Sequence, residues 1–124
     1  MKLDRNAVAP GPVVAGFSGG GFRVDDNVYH GLLISAERAD GWRPPALPGL
    51  TDADVAPLLS RDPPPEFLLL GTGATLSHPP RAFTDAMETL GIGVEVMDSR
   101  AAARAWGILR AEGREIVGAF YPLD

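Results

Sequence analysis

Phe67-Leu68-Leu69-Leu70, followed at once by Gly71-Thr72-Gly73-Ala74-Thr75, is the stretch whose reading decides the fold. Four consecutive apolar residues have the length and continuity of a strand covered on both faces, and Pro63-Pro64-Pro65 stiffens the approach to it. Downstream, Pro79 and Pro80 suit the first turn of a helix, where a missing N–H costs little, and Phe83, Met87 and Leu90 fall on one apolar stripe. Gly91 stops that helix. Ile92, Val94 and Val96 then alternate with Gly93 and Glu95 through a second strand, after which Asp98 or Ser99 offers an oxygen to the first amides of another helix. Ala101, Ala102, Ala105, Trp106 and Leu109 form the stripe of this second helix, with Gly113 as its terminator and Glu115–Tyr121 as a last strand. Strands alternating with helices of this length imply right-handed parallel crossovers, so Phe67–Phe120 reads as a βαβαβ unit.

The first third carries different punctuation. Val13–Phe17, Phe22–Val24 and Val28–Ser35 are short β-rich runs separated by Gly19-Gly20-Gly21 and Asp25-Asp26-Asn27, residues that accept the positive φ of tight turns. A small antiparallel layer is expected there. Between Ala39 and Leu50, Gly41, Pro44, Pro45, Pro48 and Gly49 argue for a surface loop without a regular element. Thr51 and Asp54 resemble a capping box, and Val55, Leu58 and Leu59 give helical spacing from Asp52 to Ser60, with Pro57 set to shorten or distort it. The whole reads as one three-layer α/β domain over residues 1–124, a mixed central sheet with an N-terminal antiparallel layer, residues 1–12 being extended or mobile.

Composition excludes several classes. Hydrophobic residues make up 45% and charged residues 22%, an ordinary globular balance. A formal charge of -5 lacks the basic surface that phosphate backbones require, so nucleic acid is not an expected partner. The absence of cysteine removes disulfides, thiolate metal sites and cysteine nucleophiles together. With no apolar leader region and no run of roughly 18 apolar residues, the expected location is cytoplasmic, with no transmembrane segment.

Candidate sites follow from position. Gly71, Thr72, Gly73 and Thr75 leave a buried strand at its carboxyl end, where ligands of open α/β sheets gather. Met97-Asp98-Ser99-Arg100 leaves the second strand on the same edge, so Asp98, Ser99 and Arg104 complete a candidate site for a small anionic ligand. The competing reading is structural: a glycine turn, a helix cap and a solvated arginine explain the same residues. The stretch has neither the third glycine of a dinucleotide fingerprint nor a Gly-Lys-Ser/Thr, and Ser99 has no Gly-x-Ser-x-Gly around it, so no catalytic residue is assigned. Glu95 is read as hydrogen-bonded or edge-exposed in preference to catalytic. His30 and His78 lack zinc-site spacing, and neither a metal nor a cofactor is expected. Trp42 and Arg43 have the composition of a protein-binding hot spot, though Trp42 equally suits a satellite of the core.

Gly20–Val24 with its Gly-Gly-Phe-Arg-Val, Phe67–Ala74, Gly91–Asp98 and the closing Phe120-Tyr121-Pro122-Leu123 together resemble a small-domain family of unknown biochemical activity that includes the mitochondrial complex I assembly factor 3. The resemblance covers nearly the whole chain from about Gly16. It implies the same three-layer fold and an assembly or binding role with a protein partner, without an assigned reaction. After Asp98 the relatives usually have Thr-Gly and later Arg-Thr-Tyr-Asn, where this chain has Ser99-Arg100 and Arg104-Ala105-Trp106-Gly107. Only Arg104 carries over.

Overall fold

Leu68, Leu69 and Leu70 are each fully buried, and their alternation divides the molecule into layers. The structure, a computed structural model, describes residues 11–124. Residues 1–10 of the expected N-terminal extension lie outside the described residues. Gly16–Ser18 (β1), Gly21–Val24 (β2) and Asn27–Tyr29 (β3) form an antiparallel sheet. Leu32–Ile34 (β4), Ala39–Gly41 (β5), Phe67–Gly71 (β6), Gly93–Met97 (β7) and Val117–Phe120 (β8) form a second sheet in the order β5-β4-β8-β6-β7. β6 pairs in parallel with both β7 and β8, while β4 is antiparallel to β8 and β5. The sheet is therefore mixed, with β6 flanked on both sides.

Helix α1 (Arg81–Thr89) covers one face and α2 (Ser99–Ala111) the other. Phe83 and Met87 of α1 pack with Leu68, Leu70, Val117 and Ala119, joined by Val55 and Leu58 from a 3-10 helix over Asp52–Leu58. Ala102, Ala103 and Trp106 of α2 pack with Leu69, Ile34 and Phe120, and Phe22 and Val24 bring the small sheet against the same face. Opposite faces of each strand thus serve different cores, as the period of two requires. Apolar burial on both faces is the main stabilising term. The buried Trp106 indole donates to the Pro12 carbonyl at 2.9 Å, which satisfies its one polar atom.

Several local expectations change. Val28–Ser35 is two strands, because the chain leaves the small sheet at His30-Gly31 and enters the large one at Leu32. At Gly31 a Cβ would lie 2.2 Å from the Trp42 carbonyl oxygen, so the close crossing needs glycine. Ala39–Leu50 is not wholly irregular: Ala39–Gly41 pairs with β4, since its residues precede the first proline and their backbone donors are intact. Pro57 is accommodated in a 3-10 helix that ends at Leu58 rather than Ser60. Leu90 is 48% exposed, because it follows the last helical turn, and Ile92 fills the core position instead. On α2, Ala103 and the partly aliphatic Arg110 are buried, while Ala101, Ala105 and Leu109 sit half-buried at the flanks. Arg110 is served by the Arg114 carbonyl at 2.7 Å and lies 3.6 Å from the Glu115 carboxylate. Glu95 is exposed on the edge strand β7.

These placements distinguish two leucines of similar sequence standing. Leu69→Ala should cost about 2–5 kcal/mol in urea unfolding, by lost transfer energy and a cavity between α2 and the sheet. Leu90→Ala should stay within about 0.5 kcal/mol, since its side chain already meets water.

Candidate functional site

The parallel strands β6 and β7 are neighbours whose connections leave to opposite faces of the sheet, one into α1 and one into α2. That is a topological switch point, the usual ligand crevice of an open α/β sheet. Here the crevice is closed by the chain itself. Thr72 donates its N–H to the Met97 carbonyl at 2.9 Å, which continues the ladder past the strand ends. Ser99, fully buried, accepts the Gly73 N–H at 2.8 Å on its hydroxyl and donates that hydroxyl to the Tyr121 carbonyl at 2.7 Å. Its own N–H donates to the Gly73 carbonyl at 2.8 Å, and the Tyr121 N–H donates to the Gly71 carbonyl at 2.9 Å.

Gly71 makes this approach feasible. A Cβ there would lie 2.7 Å from the Ser99 hydroxyl and 2.9 Å from its Cα, so any side chain would push α2 off the end of β6. The remaining polar groups are also engaged. The Thr72 hydroxyl donates to the Thr75 carbonyl at 2.8 Å and accepts the Ser77 N–H at 3.1 Å. The Asp98 carboxylate accepts the Ala101 N–H at 2.9 Å as the N-cap of α2. Thr75 itself is exposed.

The structure thus brings Gly71, Thr72, Gly73, Thr75, Asp98 and Ser99 together and sets Arg104 apart. The exposed Arg104 guanidinium sits 5.9 Å from the centre of the Phe17 ring, beside Arg100 at 5.6 Å, against the small sheet. Both contacts are in cation–π range. Among the described residues the Ser99 hydroxyl bonds only the Gly73 and Tyr121 backbone, and the side chain is fully buried, which makes it a structural joint with no described base to activate it. Five concavities of about 220 to 540 Å³ open elsewhere, and none of the five is lined by Gly71–Thr75, Asp98, Ser99 or Arg104. Among the described residues no three His, Asp or Glu side chains converge as metal ligands would.

Trp42 and Arg43 follow β5 directly. The half-buried Trp42 indole donates to the Asp54 carbonyl at 3.0 Å and meets the Tyr121 ring edge-on, with centroids 5.2 Å apart and planes at 76°. Arg43 is exposed. Beside them lies the 540 Å³ hollow, whose walls include Val28, Tyr29 and His30. The sequence offers no signal for that wall: Val28, 45% exposed in the middle of β3, reads as an ordinary strand residue in a β-rich run.

Behind Trp42, the Tyr121 hydroxyl is buried without a hydrogen-bond partner among the described residues. Burial, with a smaller contribution from the Asp54 charge, pushes its pKa up to about 12. The surface carboxylates of Glu37 and Glu66 move the other way, held below the usual range chiefly by hydrogen bonds from Arg61 and Arg114.

Ser99→Ala should destabilise the protein by about 2–4 kcal/mol in denaturant unfolding, because it strands a buried Gly73 N–H and a Tyr121 carbonyl. For Tyr121, the unfolded phenol ionises near pH 10 and the folded one only near 12. The unfolded state therefore holds fewer protons in this window, and stability falls as pH rises from 10 to 12. In Tyr121→Phe that component of the alkaline loss should vanish from a thermal-unfolding series against pH. At neutral pH the same variant should be at least as stable as the parent, having no orphaned hydroxyl to bury.

Comparison with known proteins agrees with this fold. An uncharacterized protein of Rhodobacter capsulatus is 34% identical over 111 residues, covering 89% of this chain and 84% of its own length. The crystal structure of a Bordetella parapertussis protein superposes with a TM-score of 0.80 at 28% identity, over 91% of this chain and 97% of that one. The solution structure of a Bordetella pertussis protein, described as a Mth938-like domain, gives 0.76 at 26% identity over 98% and 92%. A Bartonella henselae protein described as an outer membrane protein shares the fold at 24% identity, with a TM-score of 0.80 over 94% and 99%. In the present chain, no helix among the described residues is long and apolar enough to cross a membrane. Residues 14–121 match the family described as a protein of unknown function (DUF498/DUF598), and the chain belongs to that family.

Proposed function

We propose that this chain is a non-enzymatic binding protein of the assembly-factor kind, acting in the cytoplasm on a protein partner through the hollow beside Trp42 and Arg43. The observation that carries the reading is the hollow itself, about 540 Å³ and walled by Val28, Tyr29, His30, Trp42 and Arg43. An indole already fixed by the Asp54 carbonyl and the Tyr121 ring offers a rigid aromatic surface, so little side-chain freedom is lost when a partner docks. An exposed Arg43 at its margin adds the residue type enriched at binding hot spots. The closed switch point supports the non-enzymatic half of the proposal, and the same closure weighs against a small anionic ligand beside Gly71–Thr75 and Met97–Arg100. Respiratory complex I enters as the first partner to try, on the strength of the family resemblance.

The test avoids Trp42, whose removal would disturb the core. Affinity purification from the native cell compares the parent with Val28→Asp and Arg43→Glu, both changes at exposed positions. A specific partner, with subunits of the respiratory NADH dehydrogenase sought first, should be retained by the parent and fall at least about tenfold in the variants. Their unfolding free energies should move by no more than about 0.5 kcal/mol. Equal recovery with both variants would overturn the assignment of this surface.

A further inference from the structure

β7 is an edge strand among the described residues, paired with β6 on one side and with no described strand on the other. Because Thr72 donates to the Met97 carbonyl, Met97 turns its peptide groups toward β6, and alternation gives Glu95 and Gly93 the same direction. Val94 and Val96 therefore turn N–H and C=O outward, where no described residue bonds them. Such a row is a template for another strand. Next to it runs a groove of about 220 Å³ between α1 and the edge, lined by Thr84, Asp85, Glu88, Ile92, Gly93 and Val94.

Charge decides the occupant. Asp85 and Glu88 on the groove side and Glu95 on the strand are all exposed, and none forms an ion pair with a described residue. A second copy is a poor fit: antiparallel pairing over the whole of β7 about its own centre sets Glu95 against Glu95, and like charges directly opposite destabilise a ladder. An open, shallow groove along an unpaired backbone suits an extended chain better than a compact solute. We propose that β7 is a docking edge for an extended, basic segment of a partner protein. The segment adds a sixth strand through the Val94 and Val96 peptide groups and sets Lys or Arg side chains on the α1 face against Asp85 and Glu88, while Glu95 projects to the opposite face. This surface is separate from the hollow beside Trp42, so either proposal can fail alone.

The experiment titrates the 15N-labelled chain with a capped heptapeptide of alternating valine and lysine, and in parallel with its valine–glutamate counterpart. The lysine peptide should shift the Val94 and Val96 amides and slow their hydrogen exchange, while the glutamate peptide leaves them unchanged. Reversing the groove charge in Asp85→Lys/Glu88→Lys should weaken the lysine peptide at least about tenfold, with the spectrum elsewhere intact. No protection of Val94 and Val96 at about 1 mM lysine peptide would overturn the proposal. So would protection at β5 instead, equal binding of the glutamate peptide, undiminished binding to the charge-reversed chain, or protection that grows with protein concentration in the absence of peptide, which would mark a second copy as the occupant.

Discussion

The Ser99 hydroxyl is the contact on which the arrangement of this protein depends. Sealed from water, it joins the Gly73 amide to the Tyr121 carbonyl and so fastens the end of β6, the start of α2 and the chain leaving β8 at one atom. Each bond contributes a modest net amount, but a missing partner in that dry position leaves a peptide group unsatisfied, which is much more expensive. Gly71 permits the approach, and the Tyr121 N–H to Gly71 carbonyl bond reinforces it. The consequence reaches further, since the segment held there continues to Leu123, whose N–H donates to the Gly20 carbonyl in the first turn of the small sheet.

A fold of this class usually receives ligands where connections diverge at the strand ends. Here that position is occupied by the protein's own hydroxyls and peptide groups. The two proposed contacts lie at the margins: the hollow beside Trp42, and the outer side of β7, unpaired among the described residues, with its groove along α1. They differ in chemistry. The hollow is aromatic with a cationic rim at Arg43, while the β7 edge is flanked by unpaired carboxylates. Elsewhere on the surface, Arg61 pairs with Glu37 and Arg114 with Glu66. Exposed pairs of this kind contribute little stability, so the fold stands on its two apolar cores.

Trp42 belongs to both descriptions. Its indole covers Tyr121 and is anchored at Asp54, which makes it part of the packing, and its outward face forms a wall of the hollow. Sequence reading left those two alternatives even, and the structure has one side chain serving as core satellite and as exposed surface together. The orphaned Tyr121 hydroxyl beneath it had no signal of its own, because a tyrosine in an apolar final strand reads as ordinary core.

What the sequence by itself determined is whatever depends on near neighbours along the chain. Phe67–Leu70 as a doubly covered strand, Gly91 after α1, a cap of α2 at Asp98 or Ser99 and the Gly and Asp punctuation of the first third all follow from spacing and backbone preference, which are local properties. Tertiary structure decided everything whose cause lies far away in sequence. Ala39–Gly41 becomes a strand because β4 lies beside it, Leu90 is exposed because Ile92 fills the core, and Arg104 turns to Phe17 because the small sheet packs along α2. Ser99 acts as a joint because its partners come from residues 26 positions earlier and 22 later. Hydrogen-bond satisfaction in a dry interior is a property of the closed fold, and no stretch of the sequence contains it.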